Sequence, residues 1–354
     1  MATVTSIIHD DAHVLAQAMH DRLTVLSAST VLVTGAAGFL CSYVLDVLAA
    51  FNRNADRPCH VLALDSFATG LPDRIAHLEH DPTVRFIRHD VSQPFETNDH
   101  VDWLLHGASI ASPTFYRRHP LETIDVNVGG TRHMLELARA HDVAGLLQLS
   151  SSEIYGDPDP AAVPTNEGYV GQVSCTGPRA CYDESKRLGE TLCTVFQDLH
   201  GVPVKIVRPF NVYGPGQRLD DRRIIPDLMR AALQQEPIVL HSDGRATRSF
   251  CYVRDFVHGA LHVWLTGVAG EAYNVGNDEE VSIARTAALV AELAGPPPLA
   301  VRHEMSTDPD YLTDNPQRRC PDLAKVRALG WEPEVSLADG LARTLASYRA
   351  DGST

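Results

Sequence analysis

Thr30-Val31-Leu32-Val33-Thr34-Gly35-Ala36-Ala37-Gly38-Phe39-Leu40-Cys41 decides how the rest of the chain is read. Its first five residues form an apolar, β-branched run of the kind buried on both faces of a parallel sheet. The run enters a glycine-rich turn and then a segment that predicts a helix to about residue 50. Such a turn lets the backbone approach a pyrophosphate at the helix N-terminus, so Gly35, Gly38, Phe39 and Leu40 are candidate dinucleotide contacts. Cys41 stands where a third glycine serves close helix–sheet packing. Cysteine is small, so the expectation is a slightly shifted helix with binding kept.

Working outward, Val61-Leu62-Ala63-Leu64-Asp65 is a second apolar strand ending in an acid. Asp65 is placed to accept from ribose hydroxyls, which favours NAD over NADP. The polar insertion at 52–57 lengthens the usual separation. Residues 84–87 read as a strand followed by Asp90 and Val91, with Asp90 positioned for an adenine amine. Residues 101–105 read as a strand opening into Gly107, Ala108 and Ser109. A long amphipathic helix is expected over 121–141, a strand over 145–150, a helix over 182–200 and a strand over 204–207. Alternation of this kind means a Rossmann-like, doubly wound α/β parallel sheet, with the ligand at the carboxyl ends of the strands. Every motif falls at such an end.

One of those ends is Ser150-Ser151-Ser152-Glu153, and one helix begins Cys181-Tyr182-Asp183-Glu184-Ser185-Lys186. Tyr182 and Lys186 share a helix face at i, i+4. A phenol titrates near pH ~10, too high for a base at neutral pH. A neighbouring ammonium pulls that value down. With the Ser151 hydroxyl, the pair makes a Ser/Tyr/Lys arrangement for moving a proton off a sugar hydroxyl while hydride leaves its carbon. By itself this spacing is common on helices; its place at a strand end beside a dinucleotide fold gives it meaning.

The chain has 354 residues, a net charge of −15, 44% hydrophobic and 21% charged residues, so an ordinary globular protein with a sizeable core is expected. The acidic balance argues against nucleic acid or an anionic membrane as partner. Lysine occurs only at 186, 205 and 325. The seven cysteines show no CxxC pair and the 17 histidines no HExxH. They predict neither disulfides nor a metal site. Without a signal peptide or a bilayer-length apolar run, a cytoplasmic protein is expected.

Residues 1–28 read as a helical arm with an apolar stripe of Ile7, Val14, Leu15, Met19, Leu23 and Val25, packed on the main domain or reaching a second subunit. Residues 29–207 read as the dinucleotide domain, with a return segment near 249–275. Residues 208–248 and 276–354 read as a smaller, irregular lobe that caps the cleft. There Arg222, Arg223, Arg245, Arg248 and Arg254 stand out in an acidic chain and suit phosphate or carboxylate. A helix is expected near 282–294 and another near 337–348. The stretch Asn315-Pro316-Gln317-Arg318-Arg319-Cys320-Pro321 precedes the last.

With these residues in view, the chain resembles the extended short-chain dehydrogenase/reductase family, the NAD-dependent nucleotide-sugar epimerases and dehydratases. The resemblance covers nearly all of 30–348. It rests on TGAAGF at 34–39, the serine-rich strand end, YxxxK at 182–186, RPFNVYGP at 208–215 and TRSFCYVRD at 247–255. Within the family it looks most like the UDP-glucuronate decarboxylases (UDP-xylose synthases), on SSSEIYGDP at 150–158, GPRACYDESKR at 177–187 and PQRRCPDLAKVRALGWEP at 316–333. Ser152 precedes Glu153, where 4,6-dehydratases carry an Asp-Glu pair. Cys41, Ser151 in place of Thr, Ser66 in place of Asn and the N-terminal arm depart from the usual pattern. The resemblance implies that Tyr182, Lys186 and Ser151 are catalytic, that Glu153 and Ser152 position the sugar carboxyl or a water, and that Arg319 acts near the carboxylate. It implies a UDP-sugar held by Asn211, Arg223, Arg248, Tyr252 and Tyr116, and NAD contacted also by Ser66, Phe67, Thr69 and Gly70. It further implies a homodimer through the helices at 121–141 and 182–200. A UDP-glucuronate 4-epimerase, a 4,6-dehydratase or a non-catalytic NAD-binding regulator are the competing readings.

Overall fold

Apolar residues alternate between the two faces of each central strand, and that alternation needs a helical layer on either side. The computed structural model, which describes residues 4–305 and 316–350, has that architecture. In chain order the elements that matter are α1 (Val4–Ala18), β1 (Thr30–Thr34), α2 (Phe39–Asn52), β2 (His60–Asp65), β3 (Val84–Arg88), β4 (Trp103–His106), α3 (Thr131–Ala140), β5 (Gly145–Leu149), α4 (Ala180–His200), β6 (Val204–Pro209), α5 (Ile224–Gln234), β7 (Thr247–Ser249), α6 (Val253–Thr266), β8 (Ala272–Val275), β9 (Glu280–Ser282), α7 (Ile283–Ala294), β10 (Arg318–Arg319) and α8 (Leu337–Ala350). Seven strands form one parallel sheet in the order β8-β6-β5-β4-β1-β2-β3. Val31 and Val33 of β1 face a core shared with α1, α2, α6 and α8. Leu32, between them, faces a second core shared with α3 and α4. The order reverses between β1 and β4, which opens a crevice at their carboxyl ends.

β8 returns to the sheet edge beside β6, with Asn274 opposite Arg208. A separate three-stranded sheet, β9-β7-β10, stands over the crevice. Its register sets Arg319 beside Arg248. Asn315, at the head of the segment carrying Arg319, lies outside the described residues.

The helix expected over 121–141 is not continuous. A short helix, Pro120–Ile124, passes through a π-helical turn, Asp125–Gly130, into α3. Gly129 and Gly130 lie in this turn, and a Cβ on Gly130 would sit 2.8 Å from Val91. The wider turn lets the chain pass under the β3 loop while keeping Asn127 buried. The strand expected over 101–105 runs from Trp103 to His106 instead, because Val101 is spent in the approach loop. In the N-terminal arm, Ile8, Ala12, Leu15, Ala16, Met19 and Leu23 are buried, whereas Val14 and Val25 of the expected stripe are exposed. α1 packs chiefly on α2 and also on α8 and α6. Helices α5 and α6 were not foreseen; they are apolar runs broken by too few turn residues to stand out.

Candidate active site

The glycine turn places open space where side chains would otherwise be. Gly35 has φ +70°, and a Cβ there would lie 2.8 Å from the Ala108 backbone. Gly38 begins α2 with no capping side chain, leaving the first amides directed outward. Gly107, on the opposite loop, would drive a Cβ to within 2.3 Å of Cys41 Sγ. Cys41 therefore fills the space beneath the loop that a third glycine would leave. Burial pushes its thiol up to about 12, so it is an apolar spacer and not a nucleophile.

Asp65, at the end of β2, is buried and accepts from the Ala37 amide at 2.9 Å and the Phe67 amide at 2.7 Å. These two bonds orient the carboxylate toward the turn. Phe67 adopts φ 60°, and a Cβ on Gly70 would reach 2.8 Å from the Asp65 carboxylate. Ser66 and Thr69 lie on the same loop; the Ser66 hydroxyl accepts from the Ala68 amide and the Thr69 carbonyl from Arg218. Asp90 is exposed and caps its own turn through the Ser92 amide at 2.9 Å, while Val91 is buried under Gly130. Ser109 donates to Asn127 at 2.7 Å, and Asn127 donates to Ser185 at 2.8 Å, which ties the β4 loop to α4. This cradle of missing side chains, helix N-terminus and strand-end carboxylate fits a dinucleotide.

A cleft of about 1020 Å³ runs from this cradle to the β9-β7-β10 sheet. Its middle is formed by Ser151, Tyr182 and Lys186. Ser151 sits just after β5, where its hydroxyl accepts from the Glu153 amide at 3.1 Å and also bonds Tyr182. Tyr182 is buried and stacks on Tyr116, ring centroids 5.2 Å apart and 13° from parallel. The Tyr116 hydroxyl has no hydrogen-bond partner among the described residues. Lys186 donates to the Leu149 carbonyl at 2.9 Å, and its ammonium is 5.8 Å from the Tyr182 ring centre.

The phenol of Tyr182 is pushed up to about 12 by burial, opposed chiefly by the Ser151 hydrogen bond and Arg223. The pKa of Lys186 falls to about 8 because burial disfavours the ammonium.

The far end of the cleft is ionic. Arg319 grips Glu153 with both guanidinium nitrogens, one at 2.8 Å and one in a shorter contact. Arg179, one turn before Tyr182, makes a further short contact to the same carboxylate. Arg248 adds to the field on Glu153 from the neighbouring strand. Burial raises the Glu153 pKa, but the arginines outweigh it and hold the carboxyl well below its ordinary value. Asp183 lies behind Arg179 at 3.5 Å, and burial, with Glu153 beside it, raises its pKa to about 7. Arg248 is itself pulled down to about 10, first by burial and then by Arg319. Arg223 opens α5 and donates to the Ala111 carbonyl at 2.6 Å, and Asn211, at φ 41°, donates to Ser249. Ser152 is buried beside Glu153 and lines the cleft.

Tyr252 is not on the cleft wall. Its hydroxyl donates to Asp11 of α1 at 2.8 Å and accepts from Arg343 of α8 at 3.2 Å, so it anchors the N-terminal helix. The family resemblance implies a substrate contact for it, as for Arg248, but the chain turns between the two. Arg179 and Asp183 were overlooked, although both lie one turn from positions already singled out on α4.

The fold and the cradle define a dinucleotide-dependent enzyme of the doubly wound class whose site pairs a Ser/Tyr/Lys set with an arginine-rich pocket. The profile of the NAD dependent epimerase/dehydratase family matches residues 31–276, and the chain belongs to that family. It is 39% identical to UDP-glucuronic acid decarboxylase 6 of Arabidopsis thaliana over 88% of this chain and 86% of that protein. It is 37% identical to UDP-glucuronic acid decarboxylase 1 of Xenopus tropicalis over 91% of this chain and 72% of that protein. Among solved structures it is similar to UDP-glucuronic acid 4-epimerase of Bacillus cereus in complex with UDP-glucuronic acid and NAD. That likeness has a TM-score of 0.74 and 26% identity, covering 90% of this chain and 99% of that one.

Proposed function

We propose that this protein is an NAD-dependent UDP-glucuronate decarboxylase that yields UDP-xylose, the 4-keto pentose, or both. The observation that carries the reading is the convergence of Arg179, Arg248 and Arg319 on the single carboxylate of Glu153, within the cleft that holds Tyr182. Three cations set against Glu153 and the half-titrated Asp183 still leave an excess of positive charge, which suits a sugar carboxylate. The decarboxylases of plant and frog, similar along nearly the whole chain, support the same assignment.

NAD, when bound in the glycine cradle, supplies the hydride acceptor for C4 of the sugar and the donor that restores it. Ser151 and Tyr182 relay the C4 hydroxyl proton away as the carbon is oxidised. The resulting 4-keto sugar is a β-keto acid, so the C5–C6 bond breaks as its electron pair moves into the ketone, CO2 departs, and the enolate left behind takes a proton from solvent at C5 to restore the ketone. Arg319 and Arg248 orient the carboxylate beforehand, with Glu153 and Ser152 fixing the angle of the Arg319 fork. Tyr182 returns its proton when the ketone is reduced. Arg223, Asn211 and Tyr116 are proposed to hold the nucleotide and sugar, and Lys186 the ribose of the cofactor.

Two copies are proposed to pair through Leu121, Ile124, Leu188, Val195 and Leu199, apolar residues exposed on the helices around α3 and α4. Met134, Leu135 and Leu137 belong instead to the protein's own core. Seven free cysteines support a cytoplasmic location. Among the described residues no helix is long and apolar enough to cross a membrane. Incubation with UDP-glucuronate and NAD, followed by proton NMR, tests the assignment. Pentose anomeric signals are expected; UDP-galacturonate as the sole product makes the protein an epimerase.

A further inference from the structure

The N-terminal helix brings together three groups that the catalytic reading leaves unused. His9 of α1, Asp46 of α2 and His77 in the 3-10 turn Ala76–Leu78 each offer one donor atom, and these atoms all lie within 4.8 Å of one another. Asp46 is buried, with one carboxylate oxygen 2.6 Å from His77 Nε2. The His9 and His77 rings stand 4.9 Å apart at 58°. Both rings line a groove of about 520 Å³ that adjoins the main cleft across Leu71, Arg74, Gly216, Gln217 and Arg218, so an ion and its waters have a route in.

The second Asp46 oxygen is held by Arg74 at 2.6 Å, and Arg74 lies over the Tyr43 ring at 5.0 Å. This clamp fixes the carboxylate so that its other oxygen faces the two imidazoles. A carboxylate oriented by a hydrogen-bond partner behind it is the usual support of a metal ligand. Two imidazoles and one carboxylate suit late first-row divalent ions, and zinc in particular. The 2.6 Å His77–Asp46 hydrogen bond spans two donor atoms that a metal would bridge. Arg74 offsets the charge of Asp46, so coordination by nitrogen supplies most of the affinity and a micromolar constant is expected.

We propose that His9, Asp46 and His77 form a site for a divalent transition metal of the zinc class, completed by water, which fastens α1 to α2. Local spacing could not reveal it, since the three residues come from three separate elements, and the expectation of no metal was built on local spacing alone. The site stands independently of the decarboxylase reading.

The test uses the full chain, stripped with chelator and titrated with ZnCl2 by calorimetry, with Co2+ visible absorption as a second readout. One equivalent should bind, with nitrogen-ligand d–d bands for Co2+, and zinc should raise Tm by several degrees. His9→Gln and His77→Gln should each weaken zinc binding at least tenfold and remove the Tm rise. His9 is exposed, so His9→Gln should keep the unliganded Tm and the turnover of the parent protein. Absence of saturable binding overturns the proposal. So does binding that persists in both variants, as it would if the ion sat on the His258–His262 pair, whose Nε2 atoms are 3.1 Å apart.

Discussion

The two ends of the cleft are built by opposite means. At the dinucleotide end the protein works by leaving atoms out: Gly35, Gly38 and Gly107 clear a path, and a single oriented carboxylate, Asp65, marks the strand end. At the sugar end it works by crowding charge: Glu153, Arg179, Arg248 and Arg319 arrive from four separate segments and are all largely buried. The first end should be intolerant of added atoms and the second of removed charges. Between them stands the proposed proton relay, where removal of one oxygen should matter most.

Tyr182→Phe should lower turnover by about 10³-fold, within the range for loss of a general acid–base group. Its affinity for NAD should be little changed, as shown by equilibrium binding. Near-normal turnover in that variant would remove Tyr182 from the relay.

At the charged end, Glu153→Ala leaves the Arg319 and Arg179 guanidiniums buried without their shared anion. Loss of one partner of a buried pair costs roughly 3–5 kcal/mol, to be read from urea unfolding. Glu153→Gln, which keeps the shape and one acceptor oxygen but turns an amide NH2 toward the guanidiniums, should fall between this variant and the parent. If Glu153→Ala is as stable as the parent protein, the cluster is solvated and holds no buried charge pair.

His106, the last residue of β4, tests how the sheet feeds both ends. Its Nδ1 meets Thr34 Oγ1 at 2.6 Å, and burial holds its pKa down to about 3. The unfolded chain binds this proton near the ordinary histidine value, so stability should rise with pH between about 3 and 6.5 and be flat above. The slope is roughly 1.4 kcal/mol per pH unit, or about 3 kcal/mol between pH 6.5 and 4. His106→Gln should flatten this part of the acid limb in a pH series of urea melts. An unchanged slope would mean that the imidazole is solvated.

The smallest expected effect belongs to the end made of absences. Gly107→Ala sets a methyl against Cys41 Sγ and should weaken NAD about tenfold, at an overpacking cost of about 1–3 kcal/mol. Adding Cys41→Gly should recover most of that loss. Failure of the second change to rescue the first would separate Cys41 from the cradle.

Much of the fold was legible because its signals are local. The β1 turn, the acid after β2 and the Tyr182–Lys186 spacing each sit within a few residues of one another. The break at Asp125–Gly130 was not legible, because the apolar periodicity continues through it and only contact with Val91 explains it. The ionic cluster was partly legible: Glu153, Arg248 and Arg319 stood out one by one, but the register that joins β7 to β10 did not. Tyr252 went the other way. Its motif pointed to substrate, and a distant residue, Asp11, claimed its hydroxyl.

The most direct test of the account follows the carboxyl carbon itself. UDP-glucuronate labelled with 13C at C6 is mixed with the purified protein and NAD, and the label is traced by carbon NMR. Label should leave as CO2 and bicarbonate at the rate pentose signals appear, and Arg319→Ala should slow both together. Label retained in a hexuronate product, with the C4 centre inverted, would contradict decarboxylation and leave the arginine cluster as a binding site alone.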